Sequence, residues 1–149
     1  MSLAVKISLL SSGLFLLLGM LIGVIKYRLM LTSSTHTAPV YIDIAHRSAF
    51  LYSFAMLVAA RLPEYSPYSG KVQFMAAGLM ITFFALTNLG HLAHGLKNDT
   101  DNIFRKRGFS TTWFMYMLIA AHIGGLSVII WRVRLNTDFE YKIANNFQL

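Results

Sequence analysis

The sequence predicts an all-α integral membrane protein built as a four-helix transmembrane bundle. Composition gives the first reason: 56% of the 149 residues are apolar or aromatic and only 13% are charged, against roughly 25% in typical soluble domains. Mean hydropathy is +0.56. Capacity gives the second: the apolar set is about 83 residues, and four spans of about 20 residues each absorb nearly all of it. Placement gives the third, because these residues fall in four runs separated by short polar stretches. A single membrane domain over 1–149 follows. Disorder, a collagen-like fibre and a secreted disulfide scaffold are excluded, and a soluble enzyme does not fit. The absence of cysteine removes thiolate metal sites, thiol nucleophiles and disulfides.

The first span is expected at about 7–28. Ile7 to Ile25 carries no charge and is closed by Lys26, Tyr27 and Arg28. Its apolar stretch exceeds the 7–15 residues of a secretory signal, so a retained span is expected. Gly19 and Gly23 form a GxxxG pair that permits close helix approach. A Ser/Thr-rich loop, Leu31 to Val40, leads to the second span at about 44–62. Asp43, His46 and Arg47 lie at its opening turn, and Arg61 with Pro63 closes it. The turn Pro63 to Gly70 is rich in Pro, Ser and Gly. The third span, about 72–96, is interrupted beyond its first turn by Thr82, Thr87, Asn88, His91 and His94. The fourth, about 111–131, has Trp113, Tyr116 and Trp131 near its ends as interfacial anchors. A polar tail over 132–149 lies outside the bilayer. Asn98-Asp99-Thr100 lies too close to the membrane to act as a glycosylation site, and Asp99 with Asp101 lacks the other EF-hand ligands.

The formal charge is +7. The basic residues sit mainly between the apolar runs, so phospholipid headgroups rather than nucleic acid are the expected anionic partner. Four spans put Lys6, Arg61, Lys71, Arg132, Arg134 and Lys142 on one side. Lys26, Arg28, Arg47, Lys97, Arg105, Lys106 and Arg107 share the other. The counts nearly balance; the dense Arg105-Lys106-Arg107 run favours the cytoplasm for the second side. A multi-pass protein of a bacterial inner membrane is the expected setting.

Ionisable groups inside a membrane are costly and mark function. Span two starts, and span three ends, on the same side. His46 and the segment Asn88 to His94 are therefore expected at similar depth, with His122 deeper in span four. Asp43 is i,i+4 to Arg47 and i,i+3 to His46, so it is expected to pair with the first and orient the ring of the second. Thr87, His91 and His94 follow i,i+4,i+7. Gly90 and Gly95 leave room for a flat ligand or another helix. No carboxylate lies mid-span, which argues against a carboxylate di-iron bundle and a proton or ion pump. Haem iron held by one or two imidazoles, or a small zinc or copper site, remains feasible.

Two segments resemble the styrene oxide isomerase family, small four-span membrane proteins that bind haem b and rearrange epoxides to aldehydes. Ile44-Ala45-His46-Arg47-Ser48-Ala49-Phe50-Leu51 is similar to the family's Ala-His motif, whose His ligates the haem. Leu86-Thr87-Asn88-Leu89-Gly90 is similar to its Ser-Asn-x-Gly segment. The resemblance implies His46 as the axial metal ligand and Asn88 in the pocket wall; Asp43 and Arg47, which flank His46 in the helix, are expected beside the cofactor by position. Tyr52 stands where the family has a catalytic Asn, and Leu92 where it has a Tyr, with His91 adjoining. Tyr52, Asn88 and His91 are thus the candidate catalytic residues, orienting the oxygen of a small apolar epoxide. A homo-oligomer, a trimer by resemblance, is implied. A bis-His b-type cytochrome, pairing His46 with His91, His94 or His122, and a non-catalytic accessory subunit are the alternatives.

Overall fold

The computed structural model describes residues 1–65, 68–106 and 108–130. Among them there are four α-helices and no strand: α1 (Leu3–Thr32), α2 (Val40–Arg61), α3 (Gly70–Lys97) and α4 (Phe109–Ile130). Short 3-10 turns follow α2 at Leu62–Tyr65 and precede α4 at Ile103–Lys106. The all-α, four-helix architecture is as the sequence predicts, each helix extending a few residues beyond the expected span at one or both ends. Trp131 and the tail 132–149, with Arg132, Arg134 and Lys142, lie outside the described residues, as does Arg107.

Helices α1, α3 and α4 are long and apolar enough to cross a membrane, which makes this chain a membrane protein by length and composition. Helix α2 matches α4 in length, 22 residues each, but carries Asp43, Arg47 and Arg61. It is packed between α1 and α3, its two principal neighbours. Leucines such as Leu10, Leu14, Leu17 and Leu21 of α1 are exposed, as suits a face turned to lipid, where apolar contact with the solvent costs nothing.

Local chemistry sets the helix ends. The Ser2 hydroxyl accepts from the Val5 N–H to cap α1. Pro39 stands immediately before α2, where its missing N–H is no loss. Asn98 ends α3 in the left-handed region at φ 49°, a conformation Asn tolerates better than most residues. The motif that resembles a glycosylation site is therefore built on a helix cap.

Small residues govern the packing. Buried positions on α1 include Ala4, Ser8, Ser11, Phe15 and Ile22, a seven-residue rhythm that presents one seam to a partner helix. Helix α2 answers with Ala45, Ala49, Ser53, Met56 and Ala60. Between them the Ser12 hydroxyl donates to the Ser53 carbonyl at 2.9 Å. The GxxxG pair is in use: a Cβ on Gly19 would stand 3.2 Å from the Phe50 ring, and one on Gly23 would stand 2.9 Å from His46 Cε1. Gly95 does the same for α3, where a Cβ would stand 2.6 Å from the Ile42 backbone nitrogen. The room beside Gly95 is thus filled by α2, whereas Gly90 faces nothing within 4 Å. The main apolar cluster joins Phe15, Met56, Ala59, Ala76, Met80 and Phe84 of α1, α2 and α3. Helix α4 leans mainly on α3, with Gly125 against Met80, and only 11% of its spanning window is buried, against 39% for α3.

Gly95→Ala is expected to destabilise the fold by about 1–3 kcal/mol, because the new methyl meets backbone that has no side-chain freedom to yield. Gly90→Ala serves as its control and is expected to be neutral or slightly stabilising. Thermal unfolding in detergent reads the difference; equal midpoints for the two variants would contradict the α2–α3 contact.

Candidate functional site

Helix α2 presents the candidate residues on two faces. Toward α1, the His46 ring lies in the notch left by Gly19 and Gly23. Its Nδ1 is 2.9 Å from the Gly19 carbonyl oxygen, and its edge meets Phe50 with ring centroids 5.0 Å apart. A carbonyl oxygen only accepts, so this hydrogen bond requires the proton on Nδ1. The neutral tautomer it selects carries an unprotonated Nε2. Metal-ligating histidines are commonly held in this way, with the distal nitrogen tied to a backbone carbonyl or a carboxylate.

Asp43 does not perform that service. Its carboxylate accepts from Lys26 Nζ of α1 on one oxygen and pairs with Arg47 at 2.7 Å on the other. The i,i+4 pair with Arg47 is as expected; the contact to His46 is replaced by Lys26, whose longer arm and full charge make the better partner. Arg47 is 68% exposed and is available to a headgroup or another anionic group. Lys26, at the close of the uncharged run, thus joins a charged triad that clamps α1 to the start of α2.

Toward α3, α2 presents Tyr41, Ala45, Ser48 and Tyr52. Asn88 is fully buried there. Its amide nitrogen donates to the Ala45 carbonyl at 2.9 Å and to the Ser48 hydroxyl at 2.8 Å. Both amide hydrogens are therefore engaged, and Asn88 donates to a substrate oxygen only by giving one of them up. Its Oδ1 is buried without a partner among the described residues. His91 stacks on Tyr41 with centroids 5.5 Å apart, and its Nδ1 is likewise buried and unpartnered. Tyr52 stacks on Phe84 at 4.1 Å.

His122 of α4 packs against Phe84 at 4.4 Å and more distantly against Tyr52 at 6.4 Å; its Nε2 is a third buried, unpartnered atom. His94 pairs with Asp99 at 2.9 Å, beside a polar cleft of about 1030 Å³ between the 32–40 and 98–105 segments. The Tyr41 hydroxyl ties that end together by accepting from the Ile103 N–H at 2.8 Å.

Topology thus brings Asn88, His91 and Tyr52 to one seam, while the rotation of α2 turns His46 to the other. Three roles went unread in the sequence: the Gly19 carbonyl as partner of His46, Lys26 as partner of Asp43, and Tyr41 against His91 and His94. The GxxxG spacing was the visible signal for the first. No group of three or more His, Cys, Asp or Glu side chains able to hold a metal ion exists among the described residues, so these residues by themselves do not supply a zinc or copper ligand set. A haem needs less, because the macrocycle supplies four ligands and the protein one or two. Searches against protein-family models, curated proteins and solved structures give no match to this chain.

The His94 imidazole beside Asp99 holds the Asp99 carboxyl below its ordinary value of 3.8. A depressed acid stabilises the fold above its unfolded pKa, and that contribution is lost as pH falls through the lower, folded value. The loop pairing should therefore persist throughout the neutral and mildly acidic range. In a carboxyl ¹³C NMR titration, His94→Ala should return the Asp99 midpoint upward toward 3.8; an unmoved midpoint would disprove the pairing.

Proposed function

We propose that this chain is a haem-b-binding membrane protein of the styrene oxide isomerase type, with His46 as axial iron ligand, that rearranges a small apolar epoxide to a carbonyl compound. The observation that carries the reading is the His46 Nδ1 bond to the Gly19 carbonyl. It fixes the tautomer, makes Nε2 a better electron donor, and holds the ring against α1 where Gly23 has no side chain to displace it. A ferric haem held here would supply Lewis acidity toward an epoxide oxygen, with no net redox change.

The chain's own residues divide the remaining work. His46 would hold the iron through its unprotonated Nε2. Asp43, saturated by Lys26 and Arg47, locks the opening of α2 and leaves the Arg47 guanidinium exposed for a propionate. Asn88 supports the pocket wall through Ala45 and Ser48 and offers an acceptor, so donation to a substrate oxygen falls to the Tyr52 hydroxyl and the His91 ring. These face α3 while His46 faces α1. The reading therefore requires a homo-oligomer, a trimer by the resemblance, in which Tyr52 and His91 of a neighbouring copy meet the His46 side. Apolar walls drawn from the membrane exclude water and so suppress hydrolysis of the epoxide to a diol.

Purification in detergent tests this directly. The expected result is a Soret band with a five-coordinate ferric spectrum, lost in His46→Ala and restored by added imidazole, together with aldehyde formation from aryl or alkyl epoxides. A six-coordinate low-spin spectrum would instead favour the bis-His cytochrome. Absence of any Soret band would favour an accessory subunit, and full haem content in His46→Ala would overturn the ligand assignment.

A further inference from the structure

All four helices have an end on one side of the bundle, and the polar cleft opens there. Leu29 and Thr32 of α1, Val40 of α2, His94 of α3 and Thr111 of α4 each line it from a terminal turn. Since α1, α3 and α4 are long and apolar enough to cross a membrane, their ends mark the headgroup layer, and the cleft lies in it. Its volume of about 1030 Å³ stands at the upper end of the range for ligand pockets, about 300–1,000 Å³. The walls are tied in place. The Tyr41 hydroxyl accepts from the Ile103 N–H at 2.8 Å, and the Asn102 carboxamide oxygen from the Phe104 N–H at 2.9 Å. The Ser33, Thr35 and Thr37 hydroxyls run in a chain at 3.0 and 2.8 Å. Walls fixed in advance lower the ordering cost of a ligand.

The lining carries both signs of charge. Asp99 pairs with His94 at 2.9 Å, and Asp101 with Arg105 at 3.3 Å. These side chains are 39% to 72% exposed, and ion pairs in water contribute little, so they exchange readily for other partners. A ligand bearing both an ammonium and a phosphate enters both pairs, the first at the carboxylates and the second at the guanidinium. Charge balance disfavours a ligand that is only anionic. Among the described lining residues two carboxylates face one guanidinium, with His94 adding a charge only when protonated. The exposed Arg28, Arg47 and Lys97 stand at this end but outside the lining. They draw anionic headgroups to the surrounding leaflet rather than into the cleft.

We propose that this cleft binds the headgroup of an aminophospholipid, a phosphate ester carrying a primary ammonium. The ammonium donates to Asp99 and Asp101, and the phosphate accepts from Arg105. A choline headgroup is the weaker ligand, because a quaternary ammonium has no N–H to donate. A phosphoglycerol headgroup brings no cation and sets its phosphate against two carboxylates. Position selects a lipid over a free phosphoethanolamine: the cleft opens in the headgroup layer, and Leu29, Val40 and Ile103 offer apolar contact to the glycerol and upper acyl chains. The site does not depend on haem.

Native mass spectrometry of the full chain, with phosphatidylethanolamine, phosphatidylcholine and phosphatidylglycerol at equal concentrations, tests it. Phosphatidylethanolamine should be retained roughly fivefold or more over either competitor, the effect of one or two charge-assisted hydrogen bonds. The double variant Asp99→Asn with Asp101→Asn keeps side-chain size, removes both charges, and should bring phosphatidylethanolamine down to the phosphatidylcholine level. If it fails to fold, Asp101→Asn alone should lower the preference. Arg28→Gln with Lys97→Gln, outside the cleft, should reduce phosphatidylglycerol retention and leave the preference intact. Equal retention of the three lipids, a preference for phosphatidylglycerol, a preference that survives in whichever cleft variant folds, or one lost in the Arg28/Lys97 control would overturn the proposal. Soluble glycerophosphoethanolamine binding as tightly as the lipid would overturn the choice of a lipid.

Discussion

The bundle depends on one close approach: helices α1 and α2 meet where Gly19 and Gly23 have no side chains. A methyl at either position would enter a ring, Phe50 in one case and His46 in the other. Without a hydrophobic drive between helices in lipid, association rests on van der Waals fit and on hydrogen bonds across the seam. The Ser12–Ser53 bond and the Lys26–Asp43–Arg47 triad extend the same seam along both helices. The His46 tautomer is a by-product of this packing, because the ring reaches the Gly19 carbonyl through the space where Gly23 has no side chain.

The helices themselves were legible because length and apolar content suffice to locate them, and the GxxxG pair was legible as a contact surface. Its partner was not. Choosing His46 and Phe50 requires the rotation of α2 about its axis, and a helix that lipid can surround carries only a weak polar-versus-apolar signal for that angle. Asp43 illustrates the limit: sequence spacing finds Arg47, four residues away on the same helix, but not Lys26, which arrives from another. Asn88 illustrates the opposite case. A lone amide in an apolar run must find bonds or lose stability, and depth alone placed it beside α2; which of its atoms stayed idle needed coordinates.

His46 leaves α2 toward α1, whereas Asn88 of α3 meets the face of α2 that carries Ala45 and Ser48. The first contact ties an imidazole to a backbone carbonyl, and the second engages both donors of a buried amide. Helix α2 serves as the partition. Its Ala45 contributes to both sides, by packing in the cluster with Ile22 and Ile42 and by offering its carbonyl to Asn88.

Helix lengths carry a last consequence. Helix α1 has 30 residues and α3 has 28, or about 45 Å and 42 Å at 1.5 Å per residue, against a hydrocarbon layer of about 30 Å. Hydrophobic mismatch of this size is relieved by tilt or by protrusion into the headgroup layer. Protrusion at the loop end would carry Arg28, Lys97 and the His94–Asp99 pair among lipid phosphates. There the mouth of the polar cleft would feel the surface potential of the leaflet, and its electrostatics would follow lipid composition as much as bulk pH.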